Sequence, residues 1–142
     1  MQTTATKSRA LGIDDSINTC QCCGKTNLKF TVVIELANGE IAHYGQICAR
    51  RNTGKDQRTI TSEINAAQQA RVAAARAEFL ASPEYAAERA RLEEREQVAR
   101  TTGQRMLGRV AADFVREVVN AATAVRVAIA AKHKVSPWSF SA

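Results

Sequence analysis

All four cysteines of this 142-residue chain fall between positions 20 and 48. The stretch from 20 to 54 reads CQCCGKTNLKFTVVIELANGEIAHYGQICARRNTG and constrains the fold more than any other. Cys20, Cys23 and Gly24 make a Cys-x2-Cys-Gly. Two residues between thiolates let a tight turn aim both sulfurs at one point, and the glycine permits a positive φ as the turn closes. A module of about 40 residues is too short to bury an adequate apolar core, so it needs a metal or a covalent staple. Clustered cysteines are metal ligands more often than disulfides in a reducing compartment. The first fifteen residues contain no apolar run of the kind a secretory leader has, and no apolar run reaches the length of a membrane span. A cytoplasmic location and no membrane partner are therefore expected.

Around the cysteines the pattern is that of a hairpin. Phe30, Val32, Ile34 and Leu36 alternate with Thr31, Val33 and Glu35, which predicts a strand over 28–36. Asn38-Gly39 predicts a two-residue type I′ turn, with a return strand over 40–44. Gly45 then ends the strand, and Gly54 ends a short helix through about residue 51 as its left-handed cap. Cys48 falls in the first turn of that helix, where backbone N–H groups favour a thiolate. A short strand over 17–19 leads in.

Knuckle, hairpin and a ligand at a helix start are the layout of treble-clef zinc fingers. Those carry a second Cys-x2-Cys, and here the matching position is Arg51. Cys20, Cys23 and Cys48 thus supply three ligands of one structural zinc, where a closed site wants four. His43 on the return strand is the first choice for the fourth and Cys22 the second. A water, a partner's residue or a set of free cysteines with no metal are the remaining readings.

The sequence Cys-x2-Cys-Gly-Lys-Thr-Asn-Leu-Lys, the Asn-Gly hairpin and Tyr-Gly-x2-Cys-Ala together resemble a module found in small uncharacterised proteins of bacteriophages and their bacterial hosts. The match covers residues 20–49. The resemblance implies a zinc finger of phage-like origin, with Cys20, Cys23 and Cys48 as recurring positions, Gly45 as the turn before the third, and the position of Cys22 variable. It implies no defined activity.

The remainder reads as helix. Alanine dominates residues 56–81, giving high helix propensity but little to bury. Ser82-Pro83-Glu84 stops that helix and starts the next, with Ser82 as N-cap and Pro83 at the first position. The helix over 83–100 is heavily charged, with Arg89–Glu93 and Glu96–Arg100 as i,i+4 pairs. Residues 101–103 form a turn compatible with a helical hairpin. Over 104–132, Leu107, Val110, Phe114, Val118, Ala121, Val125 and Ile129 form one apolar stripe, read either as packing onto the earlier helices or as a homodimer seam. Trp138 and Phe140 in the tail either fold back onto the core or dock a partner. The expected fold class is α+β: a treble-clef-like zinc knuckle with β-hairpin and short helix, then an all-α extension. The expected divisions are a flexible arm over 1–16, a zinc-binding ββα module over 17–55, helices over 56–134 and a tail over 135–142.

The net charge of +6 lies mostly in residues 100–142. Three function classes compete. The first choice is a nucleic-acid-binding accessory protein, with Lys25, Lys29, Arg50, Arg51 and Lys55 around the zinc and Arg105, Arg109 and Arg116 on one helix face, within about 40° of each other at 3.6 residues per turn. Lys7 and Arg9 in the arm could also touch phosphates. Such contacts give affinity rather than sequence specificity. The alternative is an adaptor or inhibitor that engages a host or phage protein through the helices. An enzyme is not expected. Thiolate-rich zinc sites are usually structural, no general base accompanies the cysteines, and the sequence has neither a phosphate-binding glycine loop nor a His-Glu-x2-His.

Overall fold

The computed structural model describes residues 8–140. It is α+β, with a three-stranded antiparallel sheet and four helices among the described residues. The chain divides into two compact units after Ala70. This differs from the boundary expected at residue 55, because Ile60 is fully buried with the sheet residues of the first unit and Ile64 packs beside it.

In the first unit β1 (Arg9–Asp14), β2 (Thr31–Glu35) and β3 (Ile41–Tyr44) lie in the order β1-β2-β3. The alternation read in β2 holds. Val32 and Ile34 are buried on one face with Ala10, Ala49 and Ile60, and Phe30 and Leu36 pack against the same cluster. Helix α1 (Gln46–Thr53) supplies Ala49 and ends at Gly54, with φ of 67° as expected.

Three local expectations are corrected. Residues 9–14, expected in a flexible arm, are an edge strand paired with β2 and bulged between Ala10 and Gly12. This strand is fastened by long-range contacts. The Ala10 N–H donates to Glu63 at 2.9 Å, Arg9 pairs with Glu35, and Lys55 bridges Glu63 and the Ser8 carbonyl. The proposed phosphate contact of Lys7 lies outside the described residues. Residues 17–19 are not a strand. The hairpin turn is not a type I′ pair, since Gly39 has φ of 84° but Asn38 has none of the required positive φ. Instead Ala37, Asn38 and Gly39 form a three-residue loop closed by Leu36 and Glu40, with the Asn38 side chain accepting from the Glu40 N–H at 3.0 Å.

Helix α2 (Gln57–Leu80) begins in the first unit and ends in the second. Asp56 caps it, accepting from the Thr59 N–H at 2.8 Å. The second unit adds α3 (Pro83–Thr102) and α4 (Gly108–His133), packed on each other as the expected helical pair. Ser82 caps α3 through the Tyr85 N–H at 3.3 Å. The ion pairs made along α3 are Arg91–Glu94 and Glu96–Arg105, rather than the i,i+4 pairs expected. Residues 104–107 are not helical, so α4 starts four residues later than predicted.

The buried stripe of α4 is also rotated. Val115, Ala122, Ile129 and Ala130 are buried, while Leu107 and Val110 are 76% and 66% exposed. At 3.6 residues per turn the packed face lies roughly 80° from the predicted one. The cause is the cluster it meets, in which Ala75 and Phe79 of α2 and Phe140 of the tail pack with Ala122, Ile129 and Ala130. Phe140 therefore folds back onto the core, while Trp138 remains 71% exposed. Among the described residues no helix is long and apolar enough to cross a membrane.

Candidate metal centre

The knuckle is built by its own backbone. The Cys20 N–H donates to the Lys25 carbonyl at 2.9 Å, and the Gly24 N–H returns to the Cys20 carbonyl at 2.8 Å. Gly24 takes φ of 74°, the left-handed turn-closing geometry its sequence position predicts. The turn is tied to the sheet edge at β3. The Gln21 N–H donates to the His43 carbonyl at 2.9 Å, and the Gln21 side-chain carbonyl accepts from the His43 N–H at 2.8 Å. Opposite the knuckle, Gly45 begins α1 with extended backbone and leaves Cys48 in the first turn.

These elements bring Cys20, Cys23 and Cys48 together, with all three sulfurs within 4.8 Å of one another. Cys20 is buried, Cys48 half-buried and Cys23 exposed. Four sulfurs about 2.3 Å from a tetrahedral zinc lie about 3.8 Å apart, so the spacing fits such an ion with little adjustment. Among the described residues no His, Asp or Glu shares this space.

The electrostatics suit a cation. Burial pushes the Cys20 thiol up, but the N–H groups of Gly45, Cys23 and Cys22, together with the Cys23 thiol, outweigh it and hold Cys20 at about 7. Cys48 is pushed up to about 12 by its hydrogen bond with Cys23, then by burial and by the neighbouring thiols of Cys20 and Cys22. One thiolate is stabilised by the backbone, and a second is opposed by the crowd of sulfurs. A divalent ion removes that opposition, because a coordinating thiol is deprotonated outright. A Cβ at Gly45 would make an ordinary van der Waals contact with Cys20, 3.9 Å from its sulfur.

His43, the first choice for the fourth ligand, is not brought to the sulfurs. Its Nδ1 lies 3.4 Å from the Thr31 hydroxyl and 3.8 Å from an Asp14 carboxylate oxygen. Thr31, Val33 and His43 share one face of the sheet, since Val33 pairs with His43 and Thr31 stands two residues away. The backbone of His43 holds the knuckle while its ring faces β1. Two residues that the sequence reading missed matter instead. Gln21 anchors the knuckle, and the Asn52 side-chain amide donates to the Cys22 sulfur at 3.3 Å and to the Cys48 carbonyl at 2.8 Å. The i,i+4 spacing of Cys48 and Asn52 on α1 was the signal available for the second.

Of the basic candidates, Lys25, Lys29 and Arg51 line one cleft of about 500 Å³ together with Cys20, Cys23 and Cys48, over Leu28, Phe30 and Ile47. Arg50 is exposed in the last turn of α1 with Asp56 nearby. Lys55 does not reach out, because its ammonium is engaged by Glu63 and Ser8. In the second unit Arg105 pairs with Glu96 and Arg116 with Asp113, which partly neutralises the expected basic face; Arg109 is exposed. No protein-family model, curated protein or solved structure matches the chain.

Proposed function

We propose that this protein is a zinc-stabilised, non-catalytic nucleic-acid-binding accessory protein whose first unit is a treble-clef-like finger. The observation that carries the reading is the cleft beside the three thiols. Lys25, Lys29 and Arg51 surround it, and its floor is the apolar group Leu28, Phe30 and Ile47. Cations around an apolar floor suit a nucleic-acid strand, with phosphates on the basic side chains and base faces on Phe30. Zinc is the metal favoured by a thiolate-rich site of tetrahedral spacing. The ion would hold the knuckle against the start of α1 and so set the walls of the cleft. The resemblance of residues 20–49 to a bacteriophage module adds a phage-type origin to the proposal.

The test is anisotropy of labelled single- and double-stranded oligonucleotides against salt. Each phosphate contact contributes about −0.7 to the slope of log K on log salt for single strands and about −0.9 for duplex. Three cations predict a slope of about −2 to −3. Lys25→Glu, Lys29→Glu and Arg51→Glu should each flatten it, while Arg105→Glu and Arg116→Glu should not. Absence of binding at low salt removes the proposal.

A second reading is favoured by one observation. Leu107 and Val110 at the start of α4 are large, apolar and mostly exposed. Such side chains suit a protein partner or a second copy of the chain, which is the adaptor or homodimer alternative. A chain without nucleic-acid affinity that loses self-association or partner capture on Leu107→Ser would establish it.

A further inference from the structure

The second unit contains a cavity of about 160 Å³ that takes no part in the metal centre. Its walls are Phe79 of α2, Glu88 of α3, Ala122, Thr123 and Arg126 of α4, and Trp138 of the tail. The Arg126 guanidinium lies 4.6 Å from the Phe79 ring centroid, 5.7 Å from that of Trp138 and 5.8 Å from that of Phe140. Aromatic rings take the faces of a guanidinium, whereas its five N–H donors lie in its plane. Among the described residues those donors meet no acceptor, and neither the Glu88 carboxylate nor the Thr123 hydroxyl has a hydrogen-bond or ion-pair partner. Arg126 and Glu88 are both half-buried and line the same space, yet they do not pair with each other. Partly desolvated charges without partners are unfavourable, so an unsatisfied pair of opposite sign in one cavity points to a ligand. The tail wall is fastened. Phe140 is packed in the core, and the Ser139 N–H donates to the Ser136 carbonyl at 3.0 Å, on either side of Trp138.

We propose that this cavity binds a small α-amino acid as its zwitterion, with the carboxylate on Arg126 and the ammonium on Glu88. The inference goes beyond the nucleic-acid reading and does not depend on the metal. A carboxylate matches the planar fork of a guanidinium through two parallel N–H···O bonds. Stacking on three rings already orders that fork, so little freedom is lost when a ligand arrives. The ionised Glu88 carboxylate can only accept. It repels a plain anion and favours one that carries its own ammonium, while Arg126 disfavours a plain cation by the same argument. The Thr123 hydroxyl can serve either end, since it both donates and accepts. Size limits the ligand further. The cavity is about half the lower bound of drug-sized sites, which run to about 300–1,000 Å³. Phe79, Ala122 and Trp138 give it apolar walls suited to a short side chain.

The experiment titrates the full-length chain with glycine, L-alanine and L-serine, and with acetate and ethylamine as probes that carry one charge each. Trp138 is the chain's single tryptophan and lines the cavity, so its fluorescence reports occupancy, and calorimetry repeats each titration. At least one of the three amino acids should give a saturable response at millimolar concentration or below. Acetate and ethylamine should bind about 10-fold more weakly or worse, because each leaves one charged wall unpaired. Glu88→Gln should weaken the amino acid by about 10–100-fold and strengthen acetate, an opposition that a folding defect does not produce. Arg126→Lys keeps the charge but loses the fork, and should weaken both the amino acid and acetate; its urea midpoint shows whether the aromatic stack survives. Amino-acid binding that acetate matches, or that Glu88→Gln leaves unchanged, overturns the zwitterion assignment. A wild-type chain with no saturable response to any of the three amino acids overturns the site.

Discussion

Replacing Phe79 by alanine tests the packing of the second unit most directly. The side chain is fully buried. Its ring lies 5.1 Å from that of Tyr85 and 6.0 Å from that of Phe140, with the Arg126 guanidinium 4.6 Å from its centroid. Truncating a buried phenylalanine costs about 3–5 kcal/mol through lost transfer and a residual cavity. Aromatic pairs are worth about 0.5–1.5 kcal/mol beyond area burial, which places this site in the upper half of that range. Domains have only about 5–15 kcal/mol in total, so Phe79→Ala removes about a quarter or more of the unit's stability. The chain's single tryptophan, Trp138, is a built-in probe, because Arg126 lies over its ring as well. Urea unfolding followed by tryptophan fluorescence should show a midpoint lower by about 1–5 M at m-values of about 1–3 kcal/mol per M. A loss below about 1.5 kcal/mol with m unchanged would refute the reasoning, since that is the scale of tolerated core swaps. It would mean that Phe79 does not anchor α4 and the tail.

Three further outcomes are expected. Ser82→Ala should destabilise the second unit by about 1 kcal/mol through loss of the α3 cap, and Ser82→Asp should restore most of it; urea unfolding by the same tryptophan signal measures both. Gly39→Ala should cost the first unit about 1–2 kcal/mol, read by amide exchange in β2 and β3. The added methyl meets nothing within 4 Å, so the cost comes from the left-handed backbone alone. Glu78 is held below the ordinary carboxylate range, first by its hydrogen bond with His133 and then by Lys132. Its contribution is present above the unfolded value of 4.5 and is lost as pH falls through the lower folded value. Stability should therefore decline below about pH 4.5, and Glu78→Gln should flatten that acid limb in urea midpoints measured against pH.

Features closed within a few residues were legible in the sequence. The Cys-x2-Cys-Gly turn, the Ser82 cap and the Gly54 helix end are each satisfied by neighbours at short spacing, so residue type and order suffice. The alternation of β2 was legible because one of its faces meets the core. The proximity of Cys48 to the knuckle could be inferred because the hairpin between them returns the chain to its start.

What the tertiary structure alone decided involves partners distant in sequence. β1 has a glycine at its middle and little apolar alternation, and its pairing depends on β2 and on Glu63, which lies 53 residues from Ala10. The direction of the His43 ring depends on Thr31 and Asp14, neither of which is local to it. The face of α4 was misread because alanine-rich helices offer several weak stripes of similar apolarity. Periodicity favoured the larger side chains Leu107 and Val110, but the small residues Ala122 and Ala130 are what meet Ala75, Phe79 and Phe140. The chain itself thus determined the knuckle turn, the helix caps and the grouping of Cys20, Cys23 and Cys48. Packing decided which surfaces were buried, because burial depends on the shape of both partners and a sequence pattern describes only one.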